Sequence, residues 1–206
     1  MKGRLSSRSS GAFWPLLPAA LVLVACTLLF RGGGSLYFGP ADSDLVNYFY
    51  PMRVFVHRWL SQGVMPWWDP HVFSGYPVVE TQQMALFYPV SLATAALLPP
   101  RLGLSAITAI HLILAVGGMW LFLRQGLACG RQGAALGSMV YGFGALFSIR
   151  IAAGHFTVVA ALAWWPWAML GLVRSSRALA TAARPAPAPL PAGASWGRRA
   201  GALLLE

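Results

Sequence analysis

The chain has 206 residues, of which 57% are hydrophobic and only 10% charged, with a mean hydropathy of +0.62 and a net charge of +10. A soluble domain needs about 25% charged residues to wet its surface, so a bilayer is the solvent this composition fits. The basic residues stand singly between apolar runs and form no aromatic-lined basic stripe, which excludes nucleic-acid binding.

In chain order, "MKGRLSSRSS" opens a basic tail over residues 1–12. From Phe13 to Phe30, 18 residues carry no charge. As a helix they rise about 27 Å, close to a hydrocarbon core of about 30 Å, and residues 13–30 are read as a first membrane helix. Its prolines, Pro15 and Pro18, fall near the first turn, where proline costs least. "LVAC" (Leu23 to Cys26) has the form of a lipoprotein cleavage box, but the apolar run continues through "TLLF", which favours an uncleaved anchor. The two cysteines, Cys26 and Cys129, have neither metal nor redox spacing and read as small packing residues.

Residues 31–101 read as a long outer loop. It holds Asp42, Asp44, Asp69 and Glu80, four of the five acids in the chain. "LVNYFYPMRVFVHRWLSQG" has helical spacing with mixed polarity, which suits an amphipathic helix on the membrane surface ending at Gly63. "MPWWDPHVFSGYP" is dense in turn formers and tryptophan and reads as an ordered loop near the headgroups. "FYPVSLATAALLPP" is apolar but short, and interfacial, re-entrant and half-helical readings all stand.

Three more apolar runs follow, at 102–123, 133–149 and 156–173, read as membrane helices two to four. The first contains His111, expected to face the protein interior and bond a neighbour. "WWPW" (Trp164 to Trp167) is expected to pack and to meet lipid. Residues 174–199 are a Pro/Ala-rich linker, and 200–206 have the look of a further membrane helix cut short, as in the N-terminal part of a longer protein. The fold class is therefore an all-α polytopic membrane protein with about four spanning helices and a surface helix in the first outer loop.

With the N-terminus in the cytoplasm, Lys2, Arg4, Arg8, Arg124, Arg131, Arg174, Arg177, Arg184, Arg198 and Arg199 lie inside, against Arg31, Arg53, Arg58, Arg101 and Arg150 outside. That bias satisfies the positive-inside rule, and the inverted topology breaks it. The four acids then share the outer face.

A carboxylate at a membrane edge is costly without partners or work. Asp42 and Asp44 have three readings: oxygen ligands for a divalent cation, a general base for an acceptor hydroxyl, or a cap on the helix that follows. Arg53 and Arg58 suit either a phosphate, through arginine's forked donors, or anionic headgroups by snorkelling. His57, His71 and Glu80 are further polar candidates in the same loop. Arg150 and His155 flank the outer end of the third helix, as interface anchors or as contacts to lipid phosphate. No Walker loop, strand-linked GxGxxG, HExxH or GxSxG is present, so soluble-nucleotide chemistry has no support.

An outer-loop Asp, then "YFYPMR", "LSQGVMPWWDPHVFSGYP" and "QQMALFYP", after a first membrane helix, resembles the YfhO-type bacterial membrane proteins, which are similar to the GT-C class of polytopic glycosyltransferases. The resemblance covers about residues 13 to 175 and is strongest from Asp44 to Pro89. It implies a bacterial inner-membrane enzyme that moves a sugar from a polyprenyl phosphate to a cell-envelope acceptor. It also implies a catalytic carboxylate in the first outer loop. Asp44 takes that role, with Asp42 second, and Arg53, Arg58, Glu80 and His71 are the substrate-binding candidates; a metal is open. Asp69 departs from the family pattern, where Asn is frequent, and GT-C enzymes have many more helices than this chain. The other reading is a non-enzymatic membrane subunit, or part of a transporter, whose loop binds lipid or a partner.

Overall fold

The computed structural model describes residues 13–31 and 43–183. The basic tail, Asp42, the Pro/Ala-rich stretch beyond residue 183 and the apolar end at 200–206 lie outside them. Among the described residues the protein is all-α; the one ladder contact is an isolated antiparallel bridge between Asp69 and Tyr76. Three helical stretches are long and apolar enough to cross a membrane: Pro100–Gly126, Arg131–Ala153 and Phe156–Ala182. The first apolar helix, α1 (Leu16–Phe30), has 15 residues. That is about 22 Å of rise, short of a full hydrocarbon core.

The loop between α1 and the next long helix is folded. A wide π-helical turn, Leu45–Phe49, leads into α2 (Tyr50–Leu60). Pro51 has no N–H for the carbonyl four residues back and would collide with it. The preceding turn opens to a five-residue spacing instead, with Tyr50 N–H bonded to Leu45 O. Leu45, Phe49, Met52, Arg53 and Val56 are the buried positions, a single helical stripe. α3 (Pro89–Leu97) settles the short apolar stretch as a nine-residue helix, too short to cross. It packs on α2 and on the start of α4 (Pro100–Leu121), which a π-helical turn extends to Gly126. Around this end of the molecule Leu45, Phe49, Val56, Met84, Leu104 and Phe156 form one apolar core.

The expected helix at 133–149 is two: α5 (Arg131–Phe143) and α6 (Ala145–Ala153), interrupted at Gly144. The carbonyl of Phe143 left at the break accepts the hydroxyl of Ser148 at 3.1 Å, which keeps the backbone satisfied without water. α7 (Phe156–Ala182) runs past the expected end of the fourth span and replaces the first part of the linker with helix. The reason is local: "SSRALATA" lacks the prolines of the stretch beyond Arg184 and is rich in alanine. By internal contacts the chain divides after Val173, so the last turns of α7 belong to a second unit.

Inside the first unit, Pro166 and two tryptophans of "WWPW", Trp164 and Trp167, have structural partners, while Trp165 is exposed. Pro166 cannot donate to the carbonyl of Leu162, and the Tyr141 hydroxyl donates to that carbonyl at 2.6 Å instead. Trp167 Nε1 donates to Leu114 O of α4 at 3.0 Å. The indole reaches that backbone because residue 118 is glycine; a Cβ there would overlap the ring. Trp164 Nε1 donates to the Tyr88 hydroxyl at 2.9 Å, and that hydroxyl meets His111 Nε2 at 2.6 Å. His111 Nδ1 lies 2.6 Å from Ile107 O, so this buried ring does face the interior and bond its neighbours.

Candidate functional site

Asp44 stands at the start of the π-helical turn, where a cap would be expected to bond the backbone, yet its side chain makes no capping bond. The backbone there is served by Ser43 O, which accepts from Val46 N at 3.1 Å and Asn47 N at 3.0 Å. The carboxylate turns away from its own helix. Its Oδ2 lies 2.8 Å from Nε2 of His155, a partner 111 residues later in the chain. On the far side of that ring, Nδ1 lies 3.1 Å from a terminal guanidinium nitrogen of Arg150.

The sequence "RIAAGH" builds this end of the site. α6 stops at Gly154, which takes φ +81, a left-handed conformation that favours glycine. Gly154 N bonds Ile151 O and His155 N bonds Arg150 O, each at 3.0 Å. This closed helix end brings residues 150 and 155 back side by side. It also seats the backbone of Gly154 directly on Leu45, the residue after Asp44; a methyl on Gly154 would overlap Leu45. One glycine therefore serves the turn and the close approach that delivers Asp44 to His155.

The three groups share a cleft of about 570 Å³ with Tyr48, Gln83 and Thr157, floored by Phe49 and Val158. The Asp44 side chain is 65% exposed and that of His155 27%, so the carboxylate is open to a ligand while the imidazole is partly sheltered. Phe49 presents its ring edge-on to His155 at 6.2 Å and to Phe156 at 5.2 Å, which ties the cleft to the core. Tyr48 shares a 3.0 Å hydrogen bond with Tyr76. Burial, and then that bond, push the Tyr48 hydroxyl above the usual phenol range, so it stays protonated and able to donate. A carboxylate, an imidazole, a guanidinium and a phenol around one opening can move a proton and hold an anion.

The other sequence candidates go elsewhere. Arg53, read as half of a phosphate cradle, is fully buried and does not line this cleft. Its guanidinium donates to Ser91 Oγ at 3.1 Å and Thr94 Oγ1 at 2.7 Å and lies over the Phe156 ring at 5.7 Å. Arg58 is exposed. Five residues of helix turn it about 140° away from Arg53, so the two do not form one cradle. His71 and Glu80 are exposed and outside the cleft lining. Asp69 is buried, and its Oδ1 accepts the backbone N–H of His71 at 2.9 Å, the turn-forming bond expected of Asp before Pro. His57 Nδ1 donates to Ala95 O at 2.8 Å. Asp42 lies outside the described residues. Among the described residues, no three His, Cys, Asp or Glu side chains come together as a metal site.

The sequence reads Arg150 and His155 as interface anchors or as contacts to lipid phosphate, not as part of a site with Asp44. The glycine after an apolar helix, with a basic residue in the last turn, is the one local signal that could have joined them. Nothing in the sequence joins them to Asp44. Compared with protein-family models, with curated proteins and with solved structures, the chain matches none.

Proposed function

We propose that this is a membrane glycosyltransferase of the GT-C kind, acting on a polyprenyl-phosphate-linked sugar and a cell-envelope acceptor, with Asp44 as the general base. The observation that carries the reading is the Asp44 side chain. It leaves its helix terminus uncapped and joins His155 and Arg150 in an open cleft. That cleft takes Arg150 from the end of the apolar stretch Arg131–Ala153 and Thr157 and Val158 from the start of Phe156–Ala182, a position that suits a lipid-borne donor and a water-borne acceptor.

In the proposed step Asp44 takes the proton of the acceptor hydroxyl as its oxygen bonds the anomeric carbon. The bond from that carbon to the phosphate oxygen breaks, and the electron pair leaves with the lipid phosphate. Arg150, rather than Arg53, is the cation available in the cleft to meet that developing charge. Arg124 and Arg131 flank the turn at the other end of the helices. In the proposed orientation they face the cytoplasm, as the positive-inside rule favours, and the cleft faces outward; a bacterial inner membrane belongs to the same reading.

The test is transfer of labelled sugar from a polyprenyl-phosphate donor to envelope material, by membranes carrying the native protein or Asp44→Asn. A general base contributes about 10²–10⁴-fold, and a loss of that size is expected at unchanged thermal stability. Full transfer by the Asn variant would remove Asp44 from the mechanism.

A further inference from the structure

The Asp44–His155–Arg150 cluster has a direction. A guanidinium has donors and no acceptor, and an ionised carboxylate has acceptors and no donor. At 3.1 Å from Arg150, His155 Nδ1 must therefore offer its lone pair. At 2.8 Å from Asp44 Oδ2, Nε2 must carry the hydrogen. A doubly protonated ring would set N–H against N–H on the Arg150 side and place two cations in contact. The backbone also joins the pair, since His155 N bonds Arg150 O, and the Phe49 ring meets the imidazole in a T-shaped contact at 6.2 Å.

We propose that His155 is a positioning residue and that Arg150, besides facing the leaving phosphate, sets its tautomer. Arg150 locks the imidazole as the neutral Nε2–H tautomer, and that N–H grips Asp44 Oδ2, turning Oδ1 toward the ligand. The relation inverts the familiar one in which a carboxylate orients a histidine; here the histidine orients the carboxylate. The significance of Oδ1 rests on the reading of Asp44 as a base, but the lock is a property of the resting protein and needs no turnover to observe.

The experiment uses the whole chain in lipid nanodiscs, with isotope-labelled histidine ring nitrogens and aspartate carboxyl carbons read by NMR. His155 and Asp44 are assigned from the signals lost in His155→Gln and Asp44→Asn. The expected result is a neutral His155 ring protonated at Nε2, becoming a mixture of tautomers in Arg150→Met. A ring protonated at Nδ1, or at both nitrogens near neutral pH, overturns the lock.

The positioning role has its own readout. The amide nitrogen of His155→Gln falls close to the Nε2 position, whereas that of His155→Asn falls close to Nδ1. Gln should keep the Asp44 carboxyl signal near its native position and Asn should shift it. In the transfer assay Asn should lose about 100-fold, the scale of an ångström of misplacement, and Gln should recover most of that loss. Equal Asp44 signals in the two variants overturn the positioning role. A correct tautomer with no sugar transfer sinks the glycosyltransferase reading and leaves the lock standing; transfer that depends on Asp44 with a freely exchanging tautomer does the reverse.

Discussion

Arg53 shows how far a single side chain can depart from what its type suggests. An arginine next to two aspartates in a membrane-edge loop suits a phosphate. The helix stripe instead carries it inward with Leu45, Phe49, Met52 and Val56. There Ser91, Thr94 and the face of Phe156 take the place of water. The polar positions of "PVSLATAAL" are thus explained by a partner about forty residues earlier, which no local pattern reveals. Tyr48 gives a prediction at the same scale. Its folded pKa is raised, first by burial and then by Tyr76, so folding favours the protonated phenol. The sign follows: the contribution to stability is complete below the unfolded tyrosine value and is lost as the pH rises through the folded one. In an alkaline titration followed by phenolate absorbance, Tyr48→Phe should remove a step that lies above the free tyrosine value. Tyr76→Phe should bring that step earlier but not to the free value, because burial, the larger cause, persists.

Among the elements, the long apolar runs could be read directly, since length and lack of charge are what a bilayer selects. Their interruptions could not. The break at Gly144 was invisible because glycine recurs along the run, at 133, 137 and 142 as well as 144, and the extension of α7 to Ala182 was hidden by prolines that begin only after Arg184. Pro166 shows why a proline need not end a membrane helix: the carbonyl it orphans finds a hydroxyl on a neighbouring helix. A double-mutant cycle tests this. Tyr141→Phe should cost about 1 kcal/mol with Pro166 in place. In Pro166→Ala the restored N–H serves Leu162 O, and the same change should cost close to nothing. Unfolding measured in bicelles reads both, and equal costs in the two backgrounds would show that Tyr141 does not serve the orphaned carbonyl.

For the whole molecule, the stretch Arg131–Ala153, long and apolar enough to cross a membrane, runs between the turn at Cys129 and His155 at the cleft. In a Cys26→Ser background, an impermeant thiol reagent should reach Cys129 from one side of the membrane and Phe73→Cys, at a residue 86% exposed, from the other. With the proposed orientation, intact cells label Phe73→Cys and inverted vesicles label Cys129; labelling of both from one side would break the topology. Composition alone determined the membrane as solvent, because 10% charge cannot cover a water-facing surface. Run length marked the three stretches long enough to cross but not the first, where the 18-residue run 13–30 gives a helix of only 15 residues, and the crowding of acids after that run marked the segment that carries Asp44. Only the tertiary structure decided whether Asp44 caps its helix or serves a cleft, and which cation stands beside it. Those answers depend on Gly154 laying the end of α6 against Leu45, a contact between residues more than a hundred positions apart. Local periodicity carries no record of such a contact, since it arises from the packing of helices and not from the order of residues along any one of them.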